Sequence, residues 1–173
     1  LSKVAARKIK NNMEIWKAGH AGTLDPAVTG VLPIFLAKAR KLSGILTNAG
    51  KEYRCWMRIH EDIPEAKVKA ALKKFTGKIT QLPPKISAVK RVERVREIYY
   101  VDYIKKDRNT YEFIIGCQAG TYIRKYCHDI GEYLGTGGHM AKLIRTKAGP
   151  FKLKDSIKWE DVFELYRKYM KSK

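Results

Sequence analysis

The sequence predicts an α+β domain, built on a mixed, mostly antiparallel sheet that is flanked by helices. Stretches with strand periodicity follow one another in runs, and helical stretches interrupt them without the regular alternation of a parallel α/β fold. Hydrophobic residues make up 45% of the sequence, which is enough to form a folded core. The length of 173 residues suits one domain better than two. We therefore expect residues 1–173 to form a single domain.

Helix caps, glycines and apolar spacing divide the first part of the chain into four elements. Glycine, threonine and proline are concentrated in its middle, where regular structure is not expected. The predicted elements are a helix over residues 4–16 with Ser2 as its cap, an irregular loop over residues 19–30, a buried strand over residues 31–36, and a short helix marked by Ala39, Leu42, Ile45 and Leu46 that ends near Gly50.

The rest of the chain alternates between strand and helix patterns, and a Leu-Pro-Pro sequence at residues 82–84 interrupts it. The clearest helix has apolar residues at helical spacing from Ile123 to Leu134 and a glycine just past its end. The predicted elements are a strand over residues 53–59, a helix over residues 64–75, strands over residues 94–104 and 111–117 joined by a polar turn at residues 106–109, the helix over residues 123–134, a strand over residues 141–146 and a helix over residues 159–169.

The net charge of +19 is the first indication of function. Such self-repulsion does not stabilise a fold of this size, so the charge predicts a polyanionic partner, either nucleic acid or an anionic membrane. The longest apolar runs, such as residues 31–37, are too short to span a bilayer, and the basic residues are spread along the chain. Both observations favour nucleic acid, with a merely soluble basic protein as the alternative.

Three cysteines, Cys55, Cys117 and Cys127, form an odd set without a Cys-x-x-Cys pair. This usage predicts reduced thiols in an intracellular, cytoplasmic protein. A zinc site drawn from Cys117, Cys127, His128 and His139 has no common ligand spacing. Cys127 also falls on the apolar face of a predicted helix, so we expect burial there and no metal.

Residues 19–30 carry the most informative local sequence, Gly19-His20-Ala21-Gly22-Thr23-Leu24-Asp25-Pro26 followed by Thr29-Gly30. The glycines permit close approach of another backbone, and Pro26 fixes the chain just after an acid. Neither common nucleotide-binding glycine pattern is present. Spacing alone leaves two interpretations, an ordinary turn or a functional site.

This segment resembles the catalytic motif of the TruB family of pseudouridine synthases, and further motifs follow in the family's order over nearly the whole chain. Finer features resemble the archaeal form of the dyskerin-type branch, the catalytic subunit of H/ACA guide ribonucleoproteins. The family motifs are Gly50-Lys51-Glu52-Tyr53, Gln81-x-Pro83-Pro84 with Ser87-Ala88-Val89-Lys90, Gly120-Thr121-Tyr122-Ile123-Arg124 and His139-Met140-x-x-Leu143. The dyskerin-type features are Arg94-x-Arg96-x-Ile98-Tyr99, Gln118-Ala119-Gly120 and Arg145-Thr146-x-Ala148-Gly149-Pro150-Phe151.

The resemblance implies an RNA pseudouridine synthase that needs no cofactor and uses Asp25 as its catalytic nucleophile. A carboxylate can form a transient covalent bond to the nucleotide, and a flipped target base predicts that Asp25 is buried. Arg124 would then offset its charge, and Tyr53 would contact the flipped base. The alternatives are a solvated Arg124 and a Tyr53 that only packs in its strand.

The resemblance also assigns residues that contact the RNA. His20, Gly22, Thr23 and Leu143 are expected around the displaced nucleotide, although His20 could simply be exposed and Leu143 could simply pack in the core. The expected phosphate contacts, each of which could instead be solvated surface, are Lys51, Lys90, Arg91 and Arg145.

Two departures from the family pattern concern the ends of the chain. A Lys-Pro element before the region of Ser2 and a PUA domain after Lys173 are both missing, and the chain begins at Leu1 without a methionine. We expect either a fragment or a minimal family member. The expected partner is RNA, as an rRNA or tRNA substrate, with H/ACA guide RNA and small H/ACA core proteins if the dyskerin-type assignment holds. The alternatives are a stand-alone enzyme for the tRNA T-arm and a non-catalytic RNA-binding module.

Overall fold

The computed structural model describes residues 6–9, 11, 13, 17–83, 91–158 and 161–172. Within these ranges the chain forms a seven-stranded sheet, a separate two-stranded sheet and four labelled α-helices. The strands are β1 (Ala18–His20), β2 (Val28–Gly30), β3 (Ile34–Leu36), β4 (Lys51–Ile59), β5 (Gly77–Gln81), β6 (Arg94–Asp107), β7 (Thr110–Cys117), β8 (Gly138–Ala148) and β9 (Phe151–Lys152). The helices are α1 (Ser43–Asn48), which follows a 3₁₀ turn over Ala37–Leu42, α2 (Glu65–Lys74), α3 (Ile123–Tyr133) and α4 (Val162–Lys171).

The large sheet is mixed and mostly antiparallel, which confirms the predicted fold class. Its strands lie in the order β2-β8-β4-β7-β6-β5, and β9 pairs with β8 outside this path. The pairing of β2 with β8 is parallel, whereas the other pairings described for this sheet are antiparallel. Because β8 follows β2 by more than a hundred residues, this parallel contact brings the glycine-rich segment of residues 19–30 to the edge of the sheet.

Strand β4 shows why one face of the sheet forms the core. Cys55, Met57 and Ile59 are fully buried, whereas Arg54, before Cys55, and Arg58, between Met57 and Ile59, are exposed. Successive side chains of a strand point to opposite faces, so this alternation places one apolar face against helices α2 and α3. Both helices contribute buried side chains to the same cluster.

Helix α3 lies over this face and carries Arg124 near its start. Ile123, Tyr126, Cys127 and Ile130 are buried at the three- and four-residue spacing of an amphipathic helix. The Cys127 Sγ lies 3.6 Å from the Cys55 Sγ, which fixes the helix above the centre of β4. The predicted burial of Cys127 is therefore confirmed.

Several strand predictions were wrong at their boundaries. Residues 19–30 are not irregular throughout, because His20 pairs with Ile34 and residues 28–30 pair with β8. The strand expected over residues 31–36 covers only Ile34–Leu36. Strands β5 and β9 had no prediction, and β6 and β8 extend beyond residues 94–104 and 141–146. These differences arise where pairing with a distant segment defines the strand.

The helix predictions at residues 64–75 and 123–134 are confirmed by α2 and α3. The short helix before Gly50 also forms, but Leu42 and Ile45 on it are 51% and 72% exposed. The expected first helix is described only as helical residues 6–9 and 11, and part of the last expected helix also lies outside the described residues. In the described part of the chain, no helix combines the length and apolar character needed to cross a membrane.

The parallel contact between β2 and β8 predicts an asymmetric response to two glycine substitutions. Gly30 has φ 111°, and an added Cβ would lie 2.2 Å from the backbone oxygen of Arg145. We expect Gly30→Ala to lower the free energy of unfolding by about 2 kcal/mol or more, measured by urea denaturation, because both strain and backbone crowding oppose it.

Gly44→Ala is the matched control, since Gly44 lies in α1 with no atom within 4 Å of an added Cβ. It is expected to be neutral or to raise stability by up to about 1 kcal/mol. Equal effects of the two substitutions would contradict the described pairing.

Candidate active site

A short loop at residues 21–27 connects β1 to β2 and carries Asp25 at the sheet edge. Fully buried Ala21 anchors its start, and the Ala21 N–H donates a hydrogen bond to the Pro33 carbonyl at 3.1 Å. The Val28 N–H donates to the Asp25 carbonyl at 2.9 Å and closes a turn. Because Val28 then pairs with Leu143 of β8, the loop is held at both ends.

Asp25 forms an ion pair with Arg124, the second residue of α3. The Arg124 Nη2 lies 2.5 Å from the Asp25 Oδ2, and the two side chains are 54% and 55% exposed. A cation in the first turn of a helix opposes the helix dipole, so the helix itself does not favour this position. The facing carboxylate accounts for it. The expected burial of Asp25 was wrong, because its carboxylate is about half exposed in this structure.

Tyr53 of β4 lies beside this pair with its phenol in a buried environment. Burial raises the pKa of Tyr53 most, and the Cys117 thiol and the Asp25 carboxylate raise it further, while Arg145 opposes this rise; the net result is a pKa of about 12. The phenol is therefore protonated at neutral pH. The structure thus places Asp25 in contact with Arg124 and places Tyr53 within electrostatic range of Asp25.

The other residues expected around the nucleotide lie near this place in different settings. His20 is partly buried in β1, Gly22 is partly buried in the loop with φ 79°, and Thr23 is exposed. Leu143 is 6% exposed and packs in the main hydrophobic cluster, opposite Val28 and Cys55 in the sheet. Their contacts with a nucleotide remain predictions.

Two of the four expected phosphate contacts are contradicted by burial. The Lys51 ammonium donates hydrogen bonds to the carbonyls of Leu46, Thr47 and Ala49 at 3.3, 2.6 and 2.6 Å, and the residue is 8% exposed. Arg145 is 1% exposed. Their hydrogen-bonding groups face the protein interior, so neither is available to a phosphate in this structure.

The remaining two expected phosphate contacts are not tested by this geometry. Arg91 is exposed, as a phosphate contact requires. Lys90 lies outside the described residues. Both assignments stay predictions.

Gln81 holds the start of α3 and was not assigned this role from the sequence. The Tyr122 N–H donates to the Gln81 Oε1 at 3.0 Å, and the Gln81 Nε2 donates to the Tyr122 carbonyl at 3.1 Å. Gln81 is 2% exposed and Tyr122 precedes Arg124 by two residues. The Gln-x-Pro-Pro motif drew attention to Gln81 in the sequence. Because strand β5 was not predicted, the sequence did not show that the Gln81 side chain points into the protein.

The groups that could ligate a metal are dispersed. Among the described residues, no cluster of three or more His, Cys, Asp or Glu side chains has the geometry to hold a metal ion. Cys127 contacts Cys55, and the His139 Nδ1 lies 2.8 Å from the His60 Nε2. A cavity of about 730 Å³ lies between α2 and strands β5 and β6, and no predicted site residue lines it.

Two family profiles match the chain end to end from residue 8. The profile of the TruB family pseudouridylate synthase N-terminal domain matches residues 8–123, and that of the tRNA pseudouridylate synthase B C-terminal domain matches residues 124–173. The chain belongs to the TruB family. Asp25, Tyr53 and Gln81 fall in the first match, whereas Arg124 opens the second.

Curated TruB relatives are about half identical to the chain. Proteins named "Probable tRNA pseudouridine synthase B" from Methanothermobacter thermautotrophicus and Methanopyrus kandleri are 47% and 51% identical, over 92% and 91% of this chain. The matches cover 49% and 47% of those proteins. The chain thus spans about half the length of the curated relatives it matches.

Solved structures with the same fold include a chain of a Cbf5 complex and a chain of an H/ACA RNP. A chain in the "Crystal Structure of a Cbf5-Nop10-Gar1 Complex" superposes with a TM-score of 0.93 at 42% identity, covering 99% of this chain and 52% of that chain. A chain in the "Structure of H/ACA RNP bound to a substrate RNA containing 2'-deoxyuridine" gives a TM-score of 0.88 at 39% identity, covering 99% and 51%.

The double hydrogen bond of Gln81 predicts a measurable contribution to stability. Gln81→Met introduces an apolar side chain of similar length and removes both hydrogen bonds between the Gln81 amide and the Tyr122 backbone. We expect the free energy of unfolding to fall by about 1–3 kcal/mol, measured by urea denaturation, because the Tyr122 N–H loses this acceptor and its carbonyl keeps only the bond from the Tyr126 N–H among the two described.

Gln118→Met is the control, because the exposed Gln118 Oε1 accepts a single hydrogen bond, from the Glu97 N–H at 3.2 Å. Its expected effect is about 0.5 kcal/mol or less. If Gln81→Met lowers the free energy of unfolding no more than this control does, the two hydrogen bonds of Gln81 do not hold the start of α3.

Proposed function

We propose that the chain is the catalytic domain of an RNA pseudouridine synthase, with residues 1–173 forming one domain and Asp25 acting as the nucleophile. The observation that carries the proposal is the 2.5 Å contact between Asp25 and Arg124 beside Tyr53 in a TruB-family chain. Asp25 and Arg124 are 99 residues apart in the chain, and an ordinary turn does not require such a contact.

The proposed reaction moves the uracil base from an N-glycosidic to a C-glycosidic linkage. The bond between ribose C1′ and N1 breaks, a bond between C1′ and C5 forms, the proton on C5 is released and N1 gains a proton. Atoms and charge balance without any oxidant or cofactor. A carboxylate suits the first step because it can bond transiently to the nucleotide, at the ribose in our proposal, while the base turns.

Arg124 is proposed to hold the Asp25 carboxylate in a fixed direction toward the nucleotide. Both side chains are about half exposed, so water screens the pair and its contribution to fold stability is small. Once RNA covers the site and excludes water, the same pair becomes electrostatically stronger. The ion pair therefore serves the bound state more than the free protein.

Tyr53 is proposed to contact the displaced nucleotide as a protonated donor. With a pKa of about 12, its phenol does not act as a base at neutral pH in the free protein. A flat ring can stack on uracil while its hydroxyl donates a hydrogen bond. In this proposal Asp25 carries out the nucleophilic attack and Tyr53 orients the base.

RNA is the proposed partner, and an intracellular location follows from that proposal. The net charge of +19 supports binding to a polyanion. A related solved particle contains substrate RNA, and others contain Nop10 and Gar1. We propose that guide RNA of the H/ACA class and small proteins of this kind assemble with the whole protein. Action on the tRNA T-arm without a guide is the second candidate, because the curated relatives are named as tRNA enzymes.

Replacement of the nucleophile gives the first test. Asp25→Asn keeps the shape of the side chain and removes its nucleophilic charge, so we expect pseudouridine formation to fall on the order of 10³-fold or more. The measurement is tritium release from RNA labelled at uridine C5. RNA binding, measured by filter retention, is expected to persist.

Asp62→Asn is the matched control, because Asp62 also forms an ion pair, with Lys106 at 3.0 Å, and its side chain is 79% exposed. Its rate is expected to equal that of the unsubstituted chain. A fully active Asp25→Asn variant would remove the nucleophile assignment, and an inactive unsubstituted chain that still binds RNA would favour the non-catalytic module.

Guide dependence is tested by the choice of RNA. We expect the chain to convert a short uridine-containing RNA only when an H/ACA guide that pairs with it and the small core proteins are present. Mass spectrometry of the RNA detects the product after a mass-shifting label specific to pseudouridine. Conversion of unmodified tRNA by the chain alone would instead support the stand-alone candidate.

A further inference from the structure

Arg145 lies fully buried behind the loop that carries Asp25. It occupies β8, where its backbone pairs with Gly30 of β2 on one side and with Tyr53 of β4 on the other. Only 1% of its surface is exposed. This buried, charged residue therefore lies between β2, which follows the Asp25 loop, and β4, which carries Tyr53.

The guanidinium of Arg145 binds both ends of the segment that carries Asp25. Its Nε donates to the Val31 carbonyl at 2.7 Å, and its Nη2 donates to the Gly22 carbonyl at 3.1 Å. Its backbone pairs with that of Tyr53 in the adjacent strand, and its charge lies close enough to the Tyr53 phenol to oppose the rise in the pKa of that phenol. One side chain thus connects residue 22 with residue 31 beside the strand that carries Tyr53.

Gly22 allows this close contact. Its φ of 79° lies in the left-handed region, and a Cβ at this position would lie 3.3 Å from the Arg145 Nη1. A side chain at residue 22 would crowd the guanidinium and strain the backbone. The small residue and the buried arginine form one unit.

This unit differs from an ordinary structural ion pair. Among the described residues no carboxylate forms a salt bridge with Arg145, and its hydrogen-bond partners are the backbone carbonyls of Val31 and Gly22. Nearby Lys51 is also buried, and its pKa is lowered first by that burial and then by the charge of Arg145. Two buried cations without an acid to neutralise them do not favour stability, and sites that break a local rule often serve function.

We propose that Arg145 is a positioning residue that fixes the Asp25 loop relative to Tyr53. This inference rests on the proposed function. Its burial excludes direct contact with phosphate in this structure, so it acts through Gly22, Val31 and Tyr53. Lysine cannot replace it, because a single ammonium on a flexible chain does not reproduce the planar fork that reaches the Val31 and Gly22 carbonyls in separate directions.

The test compares Arg145→Met and Arg145→Lys with the unsubstituted chain at saturating protein. Single-turnover tritium release reports chemistry, and filter retention reports RNA affinity. We expect Arg145→Met to slow the chemical step by about 100-fold, as a displacement of about 1 Å in a reacting group can do. We expect its RNA dissociation constant to stay within about three-fold, since the guanidinium is not exposed to the RNA.

Arg145→Lys tests the geometry and keeps the charge. It is expected to remain at least about ten-fold slower than the unsubstituted chain, and it is the variant to measure if Arg145→Met does not fold. Hydrogen exchange should increase in residues 21–31 and remain unchanged in β7. Lys142→Met, which removes an exposed cation from the same strand, is the control and should retain the full rate.

Two outcomes would overturn the inference while leaving the proposed function in place. One is a folded Arg145 variant with a rate within three-fold of the unsubstituted chain. The other is a parallel loss of rate, RNA affinity and thermal stability, which would indicate a purely structural role. If the unsubstituted chain is inactive on both guided RNA and tRNA, the proposed function fails, and the inference fails with it.

Discussion

The parallel pairing of β2 with β8 is the contact on which the candidate site depends. It joins the loop of Asp25 to the strand that carries Leu143 and Arg145, and β8 in turn pairs with the strand of Tyr53. Helix α3 packs on the apolar face of the sheet, and its Arg124 contacts Asp25 in the loop. A shift of β2 by one residue would move Asp25 relative to both partners, because the register sets which side chains share a face.

Charge is distributed in two layers around this contact. Arg124 and Asp25 form the outer layer, which is half exposed and open to a ligand. Arg145 and Lys51 form the inner layer, where burial directs their hydrogen bonds to backbone carbonyls. The basic residues of the two layers therefore differ in what they can bind. The exposed Arg124 is accessible to a polyanion, whereas the buried Arg145 and Lys51 bind backbone carbonyls of the protein itself.

The sequence predicted the elements whose patterns are local and failed where distant pairing decides. Helix α3 and the alternation of β4 were predictable because their apolar spacing is complete within a few residues. The strand bounds at His20 and Val28 were not, because they depend on partners in β3 and β8. Family resemblance brought Asp25, Tyr53 and Arg124 into one group, but a basic side chain written in a sequence does not reveal whether it faces water. Lys51 and Arg145 were misassigned for that reason.

The three cysteines have a consequence for the chemistry that the chain can tolerate. All three are buried. Burial raises the pKa of Cys117 to about 12, and burial and the neighbouring Cys127 raise the pKa of Cys55. Thiolate is the form that oxidants and alkylating agents attack, and Cys55 and Cys117 hold little of it. Because the proposed nucleophile is a carboxylate and the three thiols are buried, the proposed chemistry does not depend on the redox state of the surroundings.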